Sequence, residues 1–171
     1  MTTPSLIRRK LIEREAEGFL ELGMPQKALE NLDRLGGDEN LGPHGLFLRG
    51  EALRELARHG EALPVLKKAA EGMPGVIEVL LSLAWCYKRT GRMDAAIESM
   101  EKALETEPRR ALLHYNLACY LSLAGNKPQA LAHLSRAFEL ESDYRTLVDS
   151  EPDFDPLRSD PDFQSLLGLG V

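Results

Sequence analysis

Cysteine, aromatic residues and long apolar stretches are all scarce in this chain. Two cysteines, Cys86 and Cys119, are too few for a disulfide framework. They suit a reducing compartment, where thiols act as small apolar groups. No stretch approaches the roughly 18–20 consecutive apolar residues of a membrane-spanning helix, so direct membrane insertion is not expected. The first ten residues place no apolar run after Arg8, Arg9 and Lys10 and make a poor secretory signal. The expected location is cytoplasmic, unless an export signal has been removed. Positive charge is also short: 27 acidic against 21 basic residues give a formal net charge of -6. A general nucleic-acid binder needs the opposite sign to displace counterions, so no nucleic-acid partner is expected. Four histidines, His44, His59, His114 and His133, are scattered without a close pair at ligand spacing, which points away from a metal site. Neither a glycine-rich phosphate loop after a strand nor a nucleophile–base–acid spacing is visible. The expectation is a protein that is not an enzyme and holds no cofactor.

What the chain has is a repeat. Ala16, Gly50, Ala84 and Ala118 stand at one constant interval, and Ala28, Ala62, Ala96 and Ala130 run in the same register. Phe19, Leu53, Tyr87 and Leu121 form a third column; Leu32, Leu66, Met100 and Leu134 form a fourth. Four units of equal length follow without insertion or deletion: 9–42, 43–76, 77–110 and 111–144. A fixed period of this length is the signature of a helical solenoid.

The third unit shows how each unit is built. Leu80, Leu83, Ala84 and Tyr87 recur at helical spacing and mark the buried stripe of a first helix. Gly91 can stop it in a left-handed conformation, and Asp94 can cap the next helix. Ala96, Ile97, Met100, Ala103 and Leu104 form the second stripe, which Pro108 ends. The product is a helix–turn–helix hairpin. Small residues where the stripes face let the backbones approach closely, and each hairpin leaves a face for the next to cover.

These residues, Leu83–Ala84, Tyr87, Gly91, Ala96, Ala103 and Pro108, resemble the tetratricopeptide repeat. The resemblance extends over about four fifths of the chain. It implies an all-α fold, a right-handed α-α superhelix of hairpins. Departures are visible. The second unit has Ala57 where the turn glycine belongs, with Gly60 later, and Pro64 falls early in its second helix. The first unit ends in Gly36-Gly37-Asp38-Glu39-Asn40, which reads as a flexible joint. Acidic positions such as Glu13 and Glu17 read as a solvated helix face.

Residues 145–171 leave the repeat and hold a phrase twice: Ser150-Glu-Pro-Asp-Phe154 and Ser159-Asp-Pro-Asp-Phe163. Serine as cap, proline at the first position and aspartate near the positive end of the helix dipole predict two short helical turns. Phe154, Leu157, Phe163, Leu166 and Leu167 would point inward. Two readings stay open: a cap over the last repeat, or an autoinhibitory tail lying in a groove.

The resemblance further implies a protein or peptide partner, held in a concave groove lined by the first helices. The candidate groove residues are His44, Phe47, Leu48, Glu51, Glu78, Leu81, Trp85, Lys88, Arg89, Tyr115, Asn116 and Cys119. Phe47, Leu81, Trp85 and Tyr115 would be an unfavourable exposed patch without a partner, and aromatic anchors are where binding energy concentrates. The alternative is that these side chains pack on neighbouring helices. Chaperone-tail recognition in the family uses a clamp of lysines, asparagines and an arginine on the first helices. Asn116 fits one clamp position, but Leu81 and Trp85 replace two others and Glu13 and Glu17 carry the wrong sign. The implied role is a non-catalytic interaction module, monomeric or weakly self-associating; the alternatives are a self-assembling scaffold or a chaperone for secreted or pilus subunits.

Overall fold

Proline at a first helical position and glycine just past a last one punctuate this chain as start and stop signals. The computed structural model describes residues 5–168, and among them it contains helices and connecting loops with no strand. The chain divides after Gly91 into two compact units. The first holds α1 (Leu6–Glu21), α2 (Pro25–Asp33), α3 (Pro43–Glu55), α4 (His59–Gly72) and α5 (Ile77–Arg89). The second holds α6 (Met93–Thr106), α7 (Ala111–Leu123), α8 (Lys127–Leu140), α9 (Tyr144–Val148) and α10 (Pro161–Leu166). Two 3₁₀ segments, Asp38–Asn40 and Pro152–Leu157, precede α3 and α10. The fold is all-α and built of paired helices, as the period predicts.

Pairing follows the small-residue columns. Within the first unit α1 packs on α2 and α3 on α4; within the second α7 packs on α8. Ala16, Ala28, Ala62, Ala118 and Ala130 have no solvent exposure, and neither do Leu32, Leu66 and Leu134 from the fourth column. Gly50 marks a closer approach than alanine allows, because a Cβ there would run into the side chain of Leu66. A bulky residue in these columns overpacks the contact.

Four turns share one backbone conformation. Gly23, Gly91 and Gly125 have φ of 68°, 74° and 76°, and Ala57 has 58°. Ala57 thus does the work of the missing glycine in a conformation that disfavours its Cβ. Gly60 does not carry the turn; it lies inside α4. Pro64 also lies inside α4, beyond the first turn, yet the helix runs on to Gly72. The carbonyl left without a helical partner belongs to Gly60, which is exposed and open to water.

Three local expectations are corrected. The Gly36-Gly37 joint is tied down: Asn40 Nδ2 donates to the Leu35 carbonyl at 2.9 Å, and Arg49 pairs with Asp33 at 2.6 Å and Asp38 at 3.2 Å. Glu13 is buried rather than solvated. Its carboxylate accepts the Gly42 N–H at 3.2 Å, at the N-terminus of α3, where the helix dipole favours negative charge; Glu17 is exposed. Capping falls elsewhere than expected. Asp94 lies in the first turn of α6, after the cap residue Arg92. In the tail the acids cap in place of the serines: Glu151 accepts from Asp153 N, and Asp160 accepts from Asp162 N and Phe163 N. A carboxylate before Pro152 or Pro161 reaches the free amides that follow, whereas the serines sit one residue too early. Phe154, Leu157 and Phe163 are buried as expected, while Leu166 and Leu167 are half-buried.

Ala57 yields a test. A left-handed L-residue is disfavoured by about 1–2 kcal/mol, and glycine's extra unfolded-state entropy offsets about 0.5–1 kcal/mol of the relief. Ala57→Gly is expected to raise the unfolding free energy by about 0.5–1 kcal/mol in urea denaturation; a loss of stability would show that the turn carries no strain.

Candidate functional site

One face of each first helix is written by three positions, spaced four and then three residues apart and therefore in line along the helix. On α3 they are Phe47, Glu51 and Arg54; on α5, one repeat later, Leu81, Trp85 and Lys88; on α7, one repeat later again, Tyr115, Cys119 and Ser122. The α3 and α5 copies belong to the first unit, where the two helices pack together. The α7 copy belongs to the second.

In the first unit this face is accessible. Trp85 is 41% exposed and is the single aromatic among the exposed large apolar side chains of the described residues. The Lys88 ammonium lies 5.6 Å from the centre of its ring, in cation–π range. Phe47 and Leu81 are half-buried; His44, Glu78 and Arg89 are exposed. His44 Nε2 stands 3.9 Å from a Glu17 oxygen. Leu48 is 3% exposed and belongs to the core, a correction that follows from its place on the inward side of α3.

Glu51 is committed to its own helices. The Arg54 guanidinium grips its carboxylate with two hydrogen bonds, Nε at 3.0 Å and Nη2 at 2.9 Å, and the Ser82 hydroxyl donates to it across from α5 at 2.5 Å. This holds α3 and α5 in register below the exposed residues. Burial, then the cations of Arg89 and Arg54, hold His59 below the ordinary histidine value. Lys88 and Arg89 place two basic residues in the last turn of α5, in a chain whose net charge is negative. Burial pushes the Cys86 thiol up to about 11, so it is not a nucleophile at neutral pH.

In the second unit the same face is occupied. Tyr115 is 6% exposed and Cys119 3%, so neither offers surface to a partner, against expectation. The physical reason for Tyr115 is the tail: its ring lies 4.9 Å from that of Tyr144 and meets Phe154 edge-on at 5.7 Å and 76°. The Ser122 hydroxyl donates to the Asp153 carbonyl at 2.7 Å, and Pro152–Leu157 packs along α7. Burial drives the Tyr115 phenol well above its usual range. Asn116 is half-buried.

Two histidines that look scattered in the sequence meet in the second unit. His114 Nε2 lies 3.0 Å from the Pro108 carbonyl, to which it must donate, leaving its Nδ1 as acceptor. His133 Nδ1–H donates to that nitrogen across 2.9 Å, and the rings stack at 5.2 Å. A sequence signal for this pair exists. Residues at this offset face each other within a hairpin: Asn31 bonds Ile12, and Arg34 bonds Glu15, with the same separation along the chain. Among the described residues no group of three or more His, Cys, Asp and Glu side chains could hold a metal ion, and no helix is long and apolar enough to cross a membrane.

Paired helices on a fixed period, with the same three sequence positions recurring on α3, α5 and α7, define a helical-hairpin repeat protein. A family model described as "Tetratricopeptide repeat" matches residues 53–98. Over those residues the chain carries tetratricopeptide-repeat sequence, and its paired helices are of the same kind as that repeat's. It is 43% identical over 75 residues to interferon-induced protein with tetratricopeptide repeats 2 of Homo sapiens, over 43% of this chain and 16% of that protein. The chain spans less than half the length of the curated relatives it matches. Among solved structures it resembles residues 41 to the end of MamA from Desulfovibrio magneticus RS-1, with TM-score 0.72 and 17% identity over 98% of this chain and 97% of that one. It also resembles YrrB, a TPR protein with an unusual peptide-binding site, with TM-score 0.70 and 21% identity over 79% and 70% of the two chains. At these identities the likeness is one of fold.

The histidine pair sets a pH dependence. Burial, and then the proximity of His114, lower the His133 pKa from 6.5, so the unfolded chain takes up the proton more readily than the folded one. The corresponding stability is complete above pH 6.5 and is lost as pH falls through 6.5 and on through the lowered folded value. Thermal melts between pH 7.5 and about 5 are expected to show a decline that His133→Gln flattens; an equally steep decline in the variant would assign it to other groups.

Proposed function

We propose that this chain is a non-catalytic protein-interaction module, which docks a peptide or helix of a partner on the exposed face of its first helices with Trp85 as the anchor. The observation that carries this reading is the exposure of Trp85, 41% in a chain whose other apolar repeat positions are largely buried. An indole left open on a rigid helix, with a lysine against its ring, presents a large contact area at little entropic cost. The reading includes four repeats at 9–42, 43–76, 77–110 and 111–144 with a terminal cap from 145. The tetratricopeptide-repeat match over residues 53–98 supports it, as does the resemblance to YrrB, a protein with a peptide-binding site. Against a catalytic reading stand the Cys86 thiol, which is held protonated, and Glu51, which is bound by Arg54 and Ser82.

The test is a displayed-peptide selection on the full chain, followed by titration of the selected peptides against Trp85→Ala. Loss of an anchor of this kind is expected to weaken binding by about tenfold or more, with the circular dichroism spectrum unchanged. Equal binding by the variant, or a loss of helicity, would return Trp85 to a structural role.

A further inference from the structure

The tail displays the chemistry that one copy of the first-helix face accepts. On α7 the occupant is Glu151-Pro152-Asp153-Phe154. Pro152 starts the 3₁₀ turn, the Glu151 carboxylate accepts the Asp153 N–H at 3.2 Å, and Phe154 is fully buried against Tyr115. Ser122, the last of the three face positions, donates to the backbone of this turn. The second copy of the phrase, Asp160-Pro161-Asp162-Phe163, is capped by its own first acid in the same way. A lysine reads its acidic groups: Lys127 Nζ lies 2.6 Å from Asp160 and 2.8 Å from Asp162. The Phe163 ring then lies tilted against that of Phe154, 5.8 Å between centres. The recognised unit is a self-capped turn of acid, proline, aspartate and phenylalanine. Tyr115 on α7 takes the ring of the first copy; in the second copy Phe154 takes the ring and Lys127, at the start of α8, takes the carboxylates.

In the first unit the α5 face sets an aromatic ring and a cation side by side. Trp85 stands one repeat before Cys119, and Lys88 one repeat before Ser122, so the copy has gained an aromatic surface and a cation. Arg89 is exposed beside Lys88, so two basic residues stand in the last turn of α5.

We propose that the α5 face binds an acidic, proline-started, phenylalanine-bearing turn of a partner polypeptide, with the phenylalanine on Trp85 and the carboxylates on Lys88 and Arg89. This rests on the reading of Trp85 as a docking anchor and adds the class of segment it takes. The tail phrase is an internal copy of the ligand, and charge complementarity selects a partner of that kind.

Trp85 is the sole tryptophan of the chain, so its emission reports on this face alone. The probe is a synthetic peptide of residues 149–158, which contains no tryptophan, titrated into the full-length protein. The expected result is a saturable change in emission. Replacing the peptide's acids by amides, replacing its phenylalanine by alanine, or introducing Lys88→Glu or Arg89→Glu in the protein should each weaken it by about tenfold or more, with helicity retained. Added salt should weaken binding to the wild type. A response insensitive to these charge changes, or a preference for a neutral or basic peptide, overturns the acidic-turn assignment while leaving Trp85 a docking anchor. No response to any peptide, with those selected by display also failing to move Trp85, overturns both. An emission change that tracks protein concentration without peptide would assign the face to the tail of a second copy and overturn the partner assignment.

Discussion

Close approach of paired helices at side chains no wider than alanine is the constraint on which the rest of this structure depends. Where Ala16 and Ala28, or Ala118 and Ala130, are fully buried in a hairpin, the two helices commit one stripe each to one another. That commitment fixes which residues remain on the outer faces. It also forces a tight turn in every repeat, so that Ala57 adopts the left-handed conformation that Gly23 and Gly125 adopt freely. The columns of small and aliphatic residues thus place polar and aromatic side chains far from the turns they dictate.

Within that frame, polar groups do the positioning. Glu13 holds the start of α3 through the Gly42 amide, and Glu51 joins α3 to α5 through Arg54 and Ser82. Neither acid is a bare solvated charge. His114 and His133 perform a related service between α7 and α8, with the Pro108 carbonyl setting the tautomer. The face on which the functional reading rests is treated differently in its copies. On α7 it is closed by Phe154 and its turn; on α5 it displays an indole and a lysine.

The sequence discloses the helical hairpins almost completely, because period, small-residue columns and turn residues all agree. It discloses the site less well. Trp85, Lys88 and Arg89 are accessible as the periodicity suggests, but Leu48, Tyr115 and Cys119 share that periodicity and are buried. Helical spacing tells which residues share a face; it does not tell what lies against the face. For Tyr115 the answer came from a non-repeating segment whose docking no period encodes. The acid caps at Glu151 and Asp160 were hidden by neighbouring serines, which are equally good caps by type and wrong only in register. The histidine pair could have been found, since the offset between facing residues is constant within a hairpin, but only once that offset is known.

The central claim is that the indole on α5 stands open in the free protein while the phenol on α7 is sealed. Collisional quenching of the single tryptophan by acrylamide measures the first half directly. Because the ring is 41% exposed, the expected result is clear quenching of the protein, below that of a free indole but well above that of a buried one, with emission shifted towards that of a water-exposed ring. A blue-shifted emission that resists quenching would place Trp85 inside the fold and contradict the account.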